Sequence, residues 1–191
     1  MMEQHRPVRF LEGKRIYLRP VELADARPHF QILFDTENRR LTGTQRSFTP
    51  MQIEQYIEQK TSDESSVWLL IALRDTDEVI GDIALQDIDN TNRNANIRIA
   101  INHAEHKGKG FGSEAMKLML NYGFGILNLH RIELNVFAYN EHARRTYEKL
   151  GFEVEGIARE ALYYDHAYHD SINMSILKRE FQERYLADMT R

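Results

Sequence analysis

Two rhythms of apolar residues alternate along this chain, and each change of rhythm marks an element. Val67 to Leu73 and Val79 to Leu85 are nearly continuous apolar runs joined by Arg74-Asp75-Thr76-Asp77-Glu78, which predicts two strands with a polar connection. Ile16-Tyr17-Leu18-Arg19 alternates and predicts an earlier strand. Asn94 to Ile101 predicts a later one, set off by Asp89-Asn90-Thr91-Asn92. Helical spacing takes over from Ser113 to Phe124, where Ala115, Leu118, Met119 and Tyr122 recur on one side. Leu23 to Phe34 also reads as a helix, with Pro28 an irregularity in it. Thr49-Pro50, a capping residue before a proline at the first helical position, opens a helix to about Lys60. Arg131 to Phe137 predicts a strand and Asn140 to Leu150 a helix stopped by Gly151. Phe152 to Ala161 and Ser171 to Leu177 predict two last strands around a polar, aromatic loop. This order predicts an α/β (α+β) domain with a central mixed, mostly antiparallel sheet flanked by helices.

Composition narrows the classes. A chain of 191 residues without repeats or linkers suits a single domain, 1–191. Hydrophobic and charged fractions of 42% and 28% are those of a globular protein. A formal net charge of −4 leaves no basic excess to drive nucleic-acid binding. The absence of cysteine excludes disulfides, a thiolate nucleophile and cysteine-based zinc sites. Met1 to Arg6 contain no apolar leader core, and no apolar run reaches membrane-spanning length. The expectation is a cytoplasmic protein with no membrane partner.

The chemistry begins at Lys107-Gly108-Lys109-Gly110-Phe111-Gly112, between a strand and a helix. Glycines there let the backbone come close to an anion, and the partnerless amides of a helix's first turn favour a phosphate. The G-x-G-x-G spacing matches neither a Walker loop nor a dinucleotide fingerprint. Downstream, Asn140, Ala143 and Tyr147 stand at i, i+3 and i+7, so one helix face carries an amide, a small residue and a phenol.

Lys107 through Ala115 resembles the acetyl-CoA loop of the GNAT acyltransferases, Gln/Arg-x-x-Gly-x-Gly/Ala, with Lys107 at the Gln/Arg position. Asn140 through Phe152 resembles that family's Asn-x-x-Ala-x-x-x-Tyr-x-x-x-Gly-Phe segment, in the order the family requires. The resemblance runs over about residues 14–182 and leans toward the Rim-type branch of ribosomal-protein N-terminal and spermidine acetyltransferases.

This resemblance implies an N-acetyltransferase that moves acetyl from acetyl-CoA directly to a primary amine, without metal. It assigns Ile99, Ala100 and Ile101 to a splayed strand along the pantetheine arm, with an amide there polarising the thioester carbonyl. It assigns Lys107, Gly108, Lys109, Gly110, Phe111, Gly112 and Ser113 to the phosphates, Asn140 and Ala143 to the coenzyme, and Tyr147 to coenzyme contact and general acid catalysis. The acceptor it implies is a protein N-terminus, with a polyamine or another small amine as alternative. A non-catalytic coenzyme A-binding sensor is the alternative of another class. Monomer and homodimer are both open.

The general base is not assigned. Asn96 occupies the position where Rim-type relatives often have glutamate, and Asp82, Asp87, Glu133 and His130 are the candidates that remain. His103/His106 and His166/His169 are expected to be surface residues, because neither pair has an evident third metal ligand. Asp165 and Asp170 with Tyr163, Tyr164 and Tyr168 could either hold a cationic amine or form a polar exposed hairpin.

Overall fold

The computed structural model of the protein describes residues 8–102 and 104–186. The N-terminal segment read as lacking a leader, and His103 of the first histidine pair, lie outside them. The strands are β1 (Leu11–Glu12), β2 (Ile16–Pro20), β3 (Val67–Leu73), β4 (Val79–Asp89), β5 (Asn94–Ile101), β6 (Arg131–Phe137), β7 (Glu153–Tyr164) and β8 (Ala167–Leu177). They form one sheet in the order β1-β2-β3-β4-β5-β6-β8-β7. Neighbours are antiparallel except β5 and β6, which run parallel. The expected mixed, mostly antiparallel sheet is therefore present.

The helices are α1 (Ala26–Ile32), α2 (Thr36–Thr42), α3 (Pro50–Thr61), α4 (Phe111–Gly125), α5 (Glu141–Leu150) and α6 (Lys178–Tyr185). Leu69 and Ile71 of β3 join the larger core with Met116, Met119 and Leu120 of α4. Trp68 and Leu70, pointing the other way, join Ile53 and Ile57 of α3 and Ala26 of α1. Burial on both faces is why β3 reads as an unbroken apolar run. In β6 Ile132, Leu134 and Val136 are buried while Glu133 and Asn135 are exposed, so its sequence alternates.

Several elements differ from expectation. The helix read over Leu23 to Phe34 is a 3₁₀ turn (Leu23–Asp25) followed by α1, and Pro28 falls in the first turn of α1, where it breaks no helical hydrogen bond. α2 was not anticipated: its interior holds a single apolar residue, Leu41, and its ends are set by local capping. The Asp35 carboxylate accepts from Asn38 N at 2.7 Å, and Gly43 turns left-handed at φ 67°. β1 and α6 were also unread.

The polar, aromatic loop near the C-terminus is strand instead. β7 and β8 run on to a two-residue turn at Asp165 and His166, both left-handed with φ 51° and 63°. Most of β7 is exposed, so no buried face printed an apolar alternation there.

Candidate active site

α4 starts at Phe111 with Gly110 as its N-cap, which offers no side-chain oxygen. Gly108 and Gly110 hold φ of 72° and 84°, a region where a Cβ is strained. The first amide with a helical acceptor is that of Glu114, donating to Gly110 O at 3.1 Å. The amides of Phe111, Gly112 and Ser113 precede it and stand at the positive end of the helix. Gly112 differs from the other two: a Cβ there would meet Ile101 at 3.5 Å, an ordinary contact.

Arg15, just before β2, braces this turn. Its guanidinium donates to Glu114 Oε2 at 3.0 Å and Lys109 O at 2.9 Å, and lies 4.6 Å from the centre of the Phe111 ring. Its amide donates to Glu114 Oε1 at 2.8 Å. Burial alone would raise the Glu114 pKa, but these bonds together hold it below the usual carboxylate value. Nothing in the local sequence singles Arg15 out, because its partner lies 99 positions away.

β5 and β6 pair only at Asn94–Arg131, Ala95–Ile132 and Asn96–Glu133, and then diverge. On its other side β5 stays paired with β4 as far as Ile101–Gly81. A Cβ at Gly81 would approach Ala100 O to 2.3 Å, so glycine is required where the two strands press together. From Ile97 onward the β6-facing edge of β5 has no strand opposite it. A slot of about 320 Å³ opens there, closed by the first turn of α4 and by α5. Ile99, Ala100, Ile101, Lys107, Gly108, Gly110, Phe111, Gly112, Ser113, Asn140, Ala143 and Tyr147 all line it. Lys109 does not; its contribution is the carbonyl that accepts from Arg15.

Two side chains carry duties the sequence did not show. The Asn140 side-chain oxygen accepts from Ala143 N at 3.2 Å, so it caps α5 as well as facing the slot. Lys107 Nζ reaches Glu37 at 2.5 Å and Asn38 Oδ1 at 3.1 Å, tying the glycine loop to α2. Asn38, Leu41 and Thr42 of α2 also line the slot.

A second cavity of about 720 Å³ lies beyond, under α1, α2 and α3. It shares Asn38, Leu41, Thr42, Ile99, Ala100 and Tyr147 with the slot, so the two chambers meet at the free edge of β5 and the phenol. Tyr147 is half-buried, and burial pushes its pKa up to about 12, which keeps the hydroxyl protonated.

Of the residues weighed as a base, Asp82 lines this cavity, whereas Asp87, Glu133 and His130 do not; Asn96 lines it too. The buried Asp82 carboxylate accepts from Arg98 at 2.8 Å and from Trp68 Nε1 at 2.9 Å. Glu133 is exposed and bound to Arg131 at 2.8 Å. His29 of α1, which sequence reasoning did not consider, lines the cavity with its ring edge-on to Trp68 at 5.0 Å. Burial lowers its pKa below the usual 6.5, Asp82 opposes that and Arg98 adds to it, so the imidazole is neutral at pH 7.

None of Tyr163, Tyr164, Asp165, Tyr168 and Asp170 lines either chamber. The Asp170 carboxylate accepts from Glu160 N at 2.8 Å, and Tyr163 packs on Tyr168 at 5.0 Å, which favours the exposed-hairpin reading. His169 bonds Tyr164 O at 3.1 Å, and among the described residues no group of three His, Asp or Glu is placed to hold a metal ion. No helix among them is long and apolar enough to cross a membrane.

Known proteins resemble this chain in sequence and fold. The spermidine N(1)-acetyltransferase of Escherichia coli K12 is 39% identical over 111 residues, 58% of this chain and 57% of that protein. The chain thus spans just over half the length of that curated relative. A probable N-acetyltransferase of Bacillus subtilis, YjcK, is 32% identical over 184 residues, covering 91% of this chain and 99% of its own. Among solved structures, the spermidine N-acetyltransferase of Vibrio cholerae in complex with CoA and spermine superimposes with a TM-score of 0.83 at 27% identity, over 88% of this chain and 99% of that one. The acetyltransferase (GNAT) domain model matches residues 15–153, from Arg15 beneath the glycine turn to the start of β7, and the chain belongs to that family.

Proposed function

We propose that the protein is an acetyl-CoA-dependent N-acetyltransferase, with acetyl-CoA in the slot and a primary amine entering through the wider cavity. The observation that carries this reading is the meeting of the two chambers at the unpaired edge of β5, beside a protonated phenol. The slot fits the coenzyme: left-handed glycines and first-turn amides suit its phosphates, Lys107 and Lys149 line the slot with no carboxylate among the described residues that line it, and the bare strand edge suits the amides of its arm. When bound, acetyl-CoA supplies the activated acetyl group.

Each residue then has a task. The backbone at Ile99–Ile101 orients the acyl group and offers N–H groups to the carbonyl oxygen. Tyr147 gives its proton to the departing sulfur. His29, the neutral imidazole of the acceptor cavity, takes the proton that the amine must lose, while Asp82 stays paired with Arg98 and Trp68. A peptide N-terminus and a polyamine both offer a suitable amine.

The test is release of free thiol from acetyl-CoA with a panel of amidated peptides, spermidine and amino sugars, beside a calorimetric measurement of coenzyme binding. Amine-dependent release is expected. Tight coenzyme binding with no release to any amine would instead favour a sensor. β7 is an edge strand with Val154 and Ile157 exposed at 48% and 59%, a surface suited to self-association. Sedimentation of the wild type against Ile157→Lys tests that: a larger species is expected to shrink, and an unchanged profile removes this surface.

A further inference from the structure

We infer that the acceptor cavity selects an amine bearing a carboxylate on the same molecule and disfavours polycations. This inference rests on the proposed role of the wider cavity as the acceptor chamber.

Its charged lining is lopsided. Among the described residues, Arg39 of α2, Arg46 of the α2–α3 connection and Arg98 of β5 face it, against a single carboxylate, Asp82. That carboxylate is already bound to Arg98 and Trp68. The Arg39 guanidinium donates to two carbonyls, Leu33 O at 3.2 Å and Arg46 O at 3.0 Å. Carbonyls hold the group in place without cancelling its charge. Arg46 is exposed, and neither it nor Arg39 forms an ion pair among the described residues.

Acids on the surrounding elements are turned to other work. Glu37 pairs with Lys107, and Asp35 caps α2. Glu54 and Glu58 of α3 do not line the cavity, whereas its Gln52, Gln55 and Gln59 do, and their amides carry no charge. His29 is neutral there as well.

A polyamine needs carboxylates for the ammonium groups that are not reacting. Here it would meet guanidiniums instead, in a concave site where like charges oppose its entry. A carboxylate on the acceptor meets the reverse: planar forks of N–H donors, of which that of Arg39 is already held at the wall. The chain as a whole is acidic, at −4, so the cationic chamber is a local arrangement rather than a consequence of overall charge.

The experiment uses matched acceptors: a tetrapeptide with glutamate at its second and third positions against its glutamine twin, β-alanine against β-alaninamide, and spermidine. Thiol release is expected to give kcat/KM about tenfold or more higher for an acid than for its amide, with spermidine lowest. The pair that shows the preference tells whether the carboxylate comes from a peptide or from a small amino acid. Arg46→Gln and Arg46→Glu should reduce the acid-to-amide ratio at least about fivefold, and Arg46→Lys should keep most of it.

A binding arm needs no turnover: calorimetry of the N-acetylated glutamate and glutamine peptides with CoA present. If no amine is acetylated but the glutamate form binds more tightly and Arg46→Gln abolishes the difference, the carboxylate preference stands and the transferase reading falls. Highest kcat/KM with spermidine, or equal binding and turnover of acid and amide forms, overturns the inference.

Discussion

The narrow slot and the wide cavity share Tyr147 and the edge of β5, yet they are made of different material. The slot is mostly main chain: first-turn amides, two left-handed glycines and a strand edge with nothing opposite it. The cavity is mostly side chain: His29, Arg39, Arg46, Tyr56, Asp82 and Arg98 reach it from six separate segments. Main-chain recognition suits a ligand common to a whole family, because it depends on backbone path and tolerates changes of side chain. Side-chain recognition can change one residue at a time while the sheet stays put. The difference teaches where constancy and variation in this protein should lie.

The largest expected effect is at the residue the chambers share. Tyr147→Phe should lower kcat by about two orders of magnitude while the acetyl-CoA KM moves within about twofold, since only the proton is removed and the ring still packs near Phe152. Steady-state kinetics with both substrates varied checks this. An unchanged kcat would end the general-acid role and leave the phenol as packing between two cavities.

His29→Gln should act on the acceptor side alone, lowering kcat by about tenfold or more at pH 7.5 with little change in the acetyl-CoA KM. Its pKa is depressed, so the proton-accepting form is complete at neutral pH, and activity is lost only as pH falls through a value below 6.5. That acid limb should vanish from the variant's pH–rate profile. Tyr147, pushed up to about 12, adds no basic limb in the working range. An acid limb that survives in His29→Gln assigns the proton to another group.

How much could be read beforehand follows the same division. The glycine turn, the Asn140/Ala143/Tyr147 face and the strand from Asn94 to Ile101 are each contiguous or helically spaced, so their chemistry is visible in order along the chain. Even there the sequence does not separate Gly112, whose backbone does not demand glycine, from Gly108 and Gly110, whose φ values do. Of the wider cavity beyond the residues it shares with the slot, only Asp82 and Asn96 drew chemical attention in the sequence. His29 lies in a helix whose pattern was blurred by Pro28, and Arg98 looks like the polar interruption of an apolar strand. α2, which covers both chambers, has too few apolar residues to print a period, although Asp35 and Gly43 bracket it with a cap at each end. The far end of the C-terminal hairpin, 162–170, was misread for the opposite reason: it is paired strand but mostly exposed, so hydrophobicity carried little record of it.

Glycine substitutions test the main-chain character of the slot. Gly110→Ala places a Cβ on a residue at φ 84° and 3.2 Å from the Arg15 guanidinium. It should raise the acetyl-CoA KM about tenfold, by re-aiming the first-turn amides, with the acceptor KM nearly constant. Gly112→Ala, whose Cβ has room, should change it by no more than about twofold. Equal effects at the two positions would mean that space, not backbone conformation, governs phosphate binding.

A modest effect is expected where a side chain does enter the slot. Lys107 pairs with Glu37, whose side chain is 59% exposed, and solvent-exposed pairs contribute little. Lys107→Met should therefore raise the acetyl-CoA KM less than about fivefold, and the difference from wild type should shrink as salt rises and screens the surface charge. A Glu37→Gln variant separates the two partners of this pair. If Lys107 acts by tying α2 down, both substitutions raise the acetyl-CoA KM. If Lys107 acts by offering its charge to a phosphate, Glu37→Gln frees the ammonium and lowers KM instead. A rise of a hundredfold in Lys107→Met that persists at high salt would show that this lysine, rather than the glycine turn, holds the coenzyme. The slot would then be a side-chain site like its neighbour, and the contrast between the chambers would disappear.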